Sequence, residues 1–574
     1  MGVNIEVNNE IIEAKAGETI LSALSRHGIR VPTLCSISDL SPTGACRMCV
    51  VEIEGRQDLV PACSFPVEQF MKIKTHSPRV INARKMIVEL LLSNHPDDCL
   101  YCIRNNNCEL QILASELNVR ERRISGKKSQ ANLDQSSPGI IRDPAKCILC
   151  GRCVRICEEQ QGVNTFDFMG RGSNTAIATA MNKDLNFSSC IHCGQCLISC
   201  PTGALHEKTN FDIVQDAINN SKIKVVVQYS PTVAVSLADE VEIRSGKDIS
   251  GLLIAALRKI GFDRVYDTSF AIDILMQEQA SELAGRIKSG QNLPLISSDC
   301  PAWVKFMEQQ YPGLFPYMSD CKSPQQIMGT LSKKYLSEEE NIPPDKIFSV
   351  SIMPCTAKKF EAQREEMTHK GVSDIDAVLT TREIAKLIKL YGIDIHSLEQ
   401  EVADAPFVNA SSSTALASLA GGMTEGILRN LHKQVTGKDM AQPKLPKLRG
   451  SKSVKQADTS IGKTKLKLAA VSGLKNAKEY IQDILEGKSK IDYLEVMACD
   501  GGCINGGGQP FFRDKKTAKS IMKTIHNADD KEQNKAAYQN QDIQNFCKKH
   551  LGEPLGKDCQ RLIHTRFSER DVLL

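Results

Sequence analysis

The sequence has no long apolar run. Its most hydrophobic stretches, such as Gly251–Leu257 and Lys224–Val227, fall far short of the roughly 20 residues a membrane helix needs, so no membrane role is expected. It also lacks charge of one dominant sign. The 72 basic residues against 68 acidic ones, net +4, are too balanced to argue for a nucleic-acid partner. The opening MGVNIEVNNE has neither the basic nor the apolar region of an export signal, and no Ser or Thr at the sixth position for myristoylation. The expected location is cytoplasmic.

Cysteine is what the chain has in excess. Of 22 cysteines, 15 fall in the first 200 residues and 7 in the remaining 374. In a small secreted domain such density would mean disulfides; in a long chain without an export signal, clustered thiols read as metal ligands.

At about 150 residues per domain, the length predicts three to five domains. Residues 1–78 open with a strand–turn–strand–helix pattern (Val3–Val7, Asn8-Asn9, then an amphipathic run near Thr19–His27), a small α+β module. Residues 79–126 hold a helical stretch, Ile87–Leu92, leading into a Cys/His knot. Arg120–Gln135, with RERR at 120–123, reads as an exposed, solvated charge run. Residues 127–209 are cysteine-dense, with short turns. From 210 to 513, strand-like segments (Lys224–Val227) alternate with helical ones (Ile249–Ile260), which predicts an α/β domain with parallel sheet. Lys444–Lys467 reads as a solvated loop or hairpin, and 514–574 as charged and helical. The fold class expected is multidomain α+β and α/β.

The cysteine spacings carry the chemistry. Cys147, Cys150, Cys153 and Cys157 form C-x2-C-x2-C-x3-C, and Cys190, Cys193, Cys196 and Cys200 repeat it before Pro201. This is the bacterial ferredoxin run for two 4Fe–4S clusters, in which each fourth cysteine serves the other cluster. The expected sets are therefore Cys147, Cys150, Cys153 with Cys200, and Cys190, Cys193, Cys196 with Cys157. Structural zinc is the competing reading, disfavoured by the tandem copies. Cys35, Cys46, Cys49 and Cys63 are a spacing variant of the plant-type 2Fe–2S pattern. His95, Cys99, Cys102 and Cys108 alone suit zinc or iron–sulfur equally. Their place between a 2Fe–2S module and a two-cluster ferredoxin favours a 4Fe–4S cluster with one histidine ligand. The array amounts to one 2Fe–2S and three accessory 4Fe–4S clusters: a wire, which needs a redox centre at its end.

Four further cysteines sit in SSDCPAW (Cys300), MPCTAKKFE (Cys355) and ACDGGCINGGGQP (Cys499, Cys503). These segments resemble the three signature motifs of FeFe-hydrogenases, and the upstream clusters resemble the clostridial monomeric type. The likeness spans essentially the whole chain; HLGEPLGKDCQRLIHTRF looks like the family's small-subunit segment. It implies an H-cluster: a 4Fe–4S cube on Cys300, Cys355, Cys499 and Cys503, bridged by Cys503 to a di-iron subsite with CO, CN⁻ and azadithiolate. It also implies dedicated maturases for assembly. By the same resemblance Lys358 hydrogen-bonds a cyanide, Gln325 polarises a CO, Met353 and Met497 flank the di-iron group, and Ser230 and Thr232 offer further contacts. The glycines of the last motif would let backbone approach the cluster. Cys321, Cys547 and Cys559 match no motif and read as packed thiols.

The departures from the family pattern fall on the proton relay. Asp299 stands where the family usually has cysteine, and Gln279 where it has glutamate; Ala417 replaces an aromatic residue. Ser319 and Glu282, with Arg286 near the surface, resemble the remaining relay. Asp299 can pass a proton; Gln279 cannot titrate. The activity expected is interconversion of H2 with protons and electrons, the carrier being ferredoxin or flavodoxin. A slow H2 sensor is the alternative of another class, but an inert residue at 299 and a C-terminal signalling domain, which would favour it, are both missing. The late cysteine motifs weigh against an NADH–quinone oxidoreductase subunit, and the first two cluster modules against an iron–sulfur assembly protein.

Overall fold

A computed structural model describes residues 2–121, 123–129, 132–511 and 515–572. Arg122 of the RERR run and the expected boundary at 513/514 lie outside these. No helix among the described residues is long and apolar enough to cross a membrane.

The chain opens as the alternation dictates. Strands Gly2–Val7 and Glu10–Lys15 form a hairpin turning at Asn8 and Asn9, both with positive φ (50° and 75°), a conformation asparagine tolerates. Thr19 caps helix Ile20–Arg26 by accepting from Ser22 N. Strands Val50–Ile53, Val60–Pro61 and Lys72–Lys74 complete a five-stranded sheet. Helix Pro78–Asn94 follows, capped by Ser77, and its last turn delivers His95 as the C-terminal cap.

The two ferredoxin-like runs share one backbone device. Leu149 and Gly151 have positive φ (54° and 70°), as do His192 and Gly194 (55° and 73°), and each glycine starts a short helix, Arg152–Arg155 or Gln195–Ser199. The turns point successive thiols inward. Strand Ile140–Arg142 pairs antiparallel with Leu205–Glu207 and closes the unit.

Beyond 210 the chain forms two open sheets. The first is parallel, in the order Arg264–Asp267, Lys224–Tyr229, Ile347–Met353, Ala377–Thr380. The second runs Leu295–Ile296, Tyr493–Met497, Thr464–Ser472, Val454–Ile461; its last pair is antiparallel. That pair is the lysine-rich hairpin, and only half of it is solvated. Lys455 is buried and donates to Ala420 O at 2.5 Å, and the hairpin forms the edge of the second sheet. The described residues of Arg120–Gln135 are mostly exposed, as expected; Arg123 pairs with Glu89 from the surface, and the exception is Asp134, buried and receiving Leu185 N at 2.8 Å.

The end of the chain folds back onto the α/β part. Helices Lys515–Lys531, Gln541–His550 and Lys557–Leu562 carry Phe546 against Phe270 and Phe407, and Thr565 N reaches Asp320 O at 2.7 Å. Cys321 and Cys559 are buried in this core and Cys547 packs at its edge, as expected of thiols acting as small apolar groups.

A candidate redox centre at the carboxyl ends of the strands

In open α/β sheets, ligands bind beyond the carboxyl ends of parallel strands. Here the two sheets bring four such ends together. Ser230 follows Lys224–Tyr229, Asp299-Cys300 follows Leu295–Ile296, Pro354-Cys355 follows Ile347–Met353, and Ala498-Cys499 follows Tyr493–Met497. Between them lies a cavity of about 800 Å³, counting its open mouth. It is lined by Cys300, Cys355, Cys499 and Cys503, with Asp299, Lys358, Gln325, Met353, Met497, Ser230 and Thr232. Every residue expected to bind the cluster is therefore on one wall or another.

The donor chemistry fits an iron–sulfur group. Burial pushes the Cys300 thiol up to about 12 and raises those of Cys355, Cys499 and Cys503 as well. Four thiols that resist ionisation in a dry pocket need bound metal to become thiolates. One oxygen of the Asp299 carboxyl is buried without a hydrogen-bond partner, a polar atom left facing the site.

Lys358 is tethered on two sides: Nζ donates to Glu361 Oε2 at 3.0 Å and to Asp299 O at 3.3 Å, leaving one of its three protons for the cavity. Glu361 also receives Gln325 Nε2 (3.2 Å) and Ser323 Oγ (2.8 Å), while Gln325 Oε1 accepts from Ser351 Oγ at 2.7 Å. The Ser230 amide is taken by Ile352 O at 3.0 Å, so only its hydroxyl could meet a ligand; the Thr232 hydroxyl is held by Ser418. Gly502 and Gly506 line the cavity, as expected of the last motif, and the glycines there have a second role. A Cβ on Gly506 would stand 2.2 Å from Pro354 O and one on Gly507 2.2 Å from Cys193 O. These glycines let protein strands close on one another around the cavity.

The relay residues form a separate group. Ser319 Oγ donates to Glu282 Oε2 and Arg286 Nη2 to Glu282 Oε1, both at 2.7 Å. Arg286 also caps the carbonyls of Asn292, Tyr317 and Met318, which fixes it as a clamp on Glu282. Gln279 is fully buried; its Oε1 accepts from Tyr493 OH at 3.1 Å and its Nε2 has no partner. Burial raises the carboxyls of Asp299 and Glu282 above the usual range, with Lys358 and Arg286 respectively pulling the other way. The Ser297 hydroxyl interacts with the side chains of both Asp299 and Tyr493.

The structure brings several of the accessory cysteines near one another. Cys147, Cys150, Cys153 and Cys200 line one apolar cavity. Cys157 lies within electrostatic reach of Cys190, Cys193 and Cys196, and Cys193 in turn within reach of Cys355 and Cys499. Gln195 Nε2 bonds Cys499 Sγ at 3.2 Å, joining the two parts directly. In the first domain the Cys35 thiol lies close to those of Cys46 and Cys63, and Cys49 close to Cys63. His95 is buried with Nδ1 unpartnered, and burial lowers its pKa, favouring the neutral form that ligates metal. Cys99 is exposed, Cys102 and Cys108 half-buried. Both N-terminal modules dock on the first ferredoxin-like set: Arg155 reaches Cys35 O, Arg152 pairs with Glu109 at 2.5 Å, and Arg104 reaches Cys200 O at 3.2 Å.

Sequence reasoning missed Glu361, Ser418, Gln195, Tyr493 and Ser297. Only Glu361 left a local signal, three residues after Lys358 in AKKFE, one helical turn away.

Comparison with known proteins agrees with this geometry. Residues 223–507 match the iron only hydrogenase large subunit, C-terminal domain, and 515–570 the iron hydrogenase small subunit. Residues 1–78 match a 2Fe-2S iron-sulfur cluster binding domain, 84–123 the NADH-ubiquinone oxidoreductase-G iron-sulfur binding region, and 146–204 a 4Fe-4S dicluster domain. The NADP-reducing hydrogenase subunit HndD of Solidesulfovibrio fructosivorans is 37% identical, with 100% of each chain covered. Iron hydrogenase 1 of Clostridium pasteurianum is 32% identical over 98% of this chain and 100% of its own. Among solved structures, apo FeFe-hydrogenase HydA1 of Chlamydomonas reinhardtii superposes with a TM-score of 0.58 at 30% identity, covering 63% of this chain and 100% of that one. A cavity framed by the cysteines of all three signature motifs, fed by iron–sulfur domains and matched along its whole length, places this chain among the FeFe-hydrogenases.

Proposed function

We propose that the chain interconverts 2 H⁺ + 2 e⁻ with H2 at an H-cluster held by Cys300, Cys355, Cys499 and Cys503. The observation that carries this is the single cavity in which those cysteines meet Lys358, Gln325, Met353 and Met497. When bound there, the di-iron subsite, with CO, CN⁻ and azadithiolate ligands, supplies the chemistry that joins protons and electrons. Lys358 supplies a charge-assisted donor to a cyanide, its amine kept in place by Glu361. Asp299 is the first proton donor and acceptor at the cavity wall, and Glu282 with Ser319 continues the path. Arg286 holds Glu282 rather than passing a proton, because a guanidinium does not deprotonate. The division into 1–78, 79–126, 127–209, 210–513 and 514–574 assigns one 2Fe–2S cluster to the first part, a His95-ligated 4Fe–4S cluster to the second and two 4Fe–4S clusters to the third. Maturases build the subsite.

The electron partner has two readings. The composition of the cluster array suits ferredoxin or flavodoxin. The full-length likeness to a protein named as an NADP-reducing hydrogenase subunit favours a partner subunit that serves NADP. H2-driven reduction of ferredoxin by the purified chain alone supports the first; reduction of NADP only when further subunits are added supports the second.

The test of the function is H2 evolution from a reduced viologen by matured protein. Wild type is expected to evolve H2 and Asp299→Ala to lose most turnover while its H-cluster infrared bands persist. An inactive wild type with a complete H-cluster would overturn the enzymatic reading in favour of the sensor.

A further inference from the structure

Among the described residues, Lys305 is a buried lysine with no carboxylate at ion-pair distance. Its side chain is 3% exposed, its Nζ lies 2.8 Å from His192 Nε2, and it sits over the Phe360 ring at 4.4 Å. The buried acid one helical turn away, Glu308, is already matched by Arg364 and Arg570. The anionic group acting most strongly on it is Cys190, on the other side of His192. There the ring nitrogen Nδ1 is 3.9 Å from Cys190 Sγ and 2.9 Å from Ser137 Oγ. His192 is fully buried, stacked on Phe360, and its backbone is fixed by Thr356 Oγ1 bonding His192 O at 2.7 Å.

The tautomer follows from the partners. With Lys305 as an ammonium, which only donates, Nε2 accepts from it and the ring proton sits on Nδ1. That N–H faces Cys190 Sγ and Ser137 Oγ. We infer that Lys305, acting through His192, is the counter-charge of the accessory cluster on Cys157, Cys190, Cys193 and Cys196 and sets its reduction potential. Lys305 is thus a positioning residue for electron delivery, next to the set of cysteines that adjoins the H-cluster cavity. The inference rests on the cluster assignment proposed above. Reduction adds one negative charge to the cluster; a nearby cation and an N–H donated to a ligand sulfur both favour the reduced form.

The test is an EPR-monitored redox titration of the holoenzyme. In Lys305→Met, which keeps length and loses charge, one 4Fe–4S midpoint should move to more negative potential while the other accessory signals stay in place. His192→Leu should move the same signal in the same direction, and Lys305→Arg should restore it towards wild type. Unchanged midpoints in both Lys305→Met and His192→Leu, or an equal shift of every cluster, would overturn the inference. Failure of the underlying assignment looks different: Cys190→Ser would then leave every 4Fe–4S signal intact. Should Lys305→Met fail to load clusters, the His192→Leu midpoint decides alone.

Discussion

Lys358 and Glu361 form a buried ion pair, Nζ to Oε2 at 3.0 Å, with side chains 11% and 5% exposed. Glu361 is the hub of the cavity's polar wall, since Gln325 and Ser323 bond the same oxygen. Removing one member of such a pair strands the other charge, at a cost of about 3–5 kcal/mol. Glu361→Ala should therefore lower the thermal midpoint and reduce H-cluster loading, read by calorimetry and by the intensity of the Fe–CN bands. Glu361→Gln should recover part of the stability, because it still accepts from Gln325 or Ser323. Full loading and an unchanged midpoint in Glu361→Ala would show that Lys358 needs no partner.

Gln279 is the non-titratable member of the proposed relay, and Tyr493, which bonds it, lies within electrostatic reach of both Asp299 and Glu282. Gln279→Glu should raise H2 turnover, because a carboxyl passes protons that an amide cannot. It should also destabilise the fold by about 1–3 kcal/mol, because the new carboxylate would sit in a fully buried site with Tyr493 OH as its hydrogen-bond donor. A Tyr493→Phe partner variant would deepen the stability loss. Unchanged turnover would mean that protons bypass position 279.

Asp273 predicts a stability that depends on pH. It is fully buried and receives Ser411 N at 2.6 Å and Ser411 Oγ at 2.5 Å, yet burial pushes its carboxyl up to about 7. The folded state thus holds a proton that the unfolded chain releases near pH 4. This group's contribution is complete below that value and is lost as pH rises towards 7, at up to about 1.4 kcal/mol per pH unit. Asp273→Asn should flatten the fall in thermal midpoint between pH 5 and 7 relative to wild type. Parallel curves for the two proteins would refute the assignment.

Much of this was legible in the sequence because cluster ligation is written in short spacings. C-x2-C turns specify their own geometry, so Cys147–Cys157 and Cys190–Cys200 could be paired crosswise before any coordinates. Alternating strands and helices likewise announced parallel sheet beyond 210. What was not legible depends on contacts between distant segments. Gln195 meets Cys499, and Ser418 meets Thr232, across 304 and 186 residues respectively. Glycine in the last motif looked like space for a ligand; the atoms it approaches, Pro354 O and Cys193 O, belong to segments whose nearness only folding reveals. Lys455 looked solvated because it lies in the lysine-rich stretch 444–467, while its burial follows from the strand it pairs with.

The central claim is that Cys300, Cys355, Cys499 and Cys503 hold an H-cluster in a part of the chain distinct from the accessory clusters. Infrared spectroscopy of matured protein, with EPR of the same samples, tests it most directly. Wild type should show Fe–CO and Fe–CN bands; Cys499→Ala and Cys355→Ser should lose them while the accessory iron–sulfur EPR signals persist. Fe–CO and Fe–CN bands that survive both substitutions, or a wild type that never acquires them, would contradict the account.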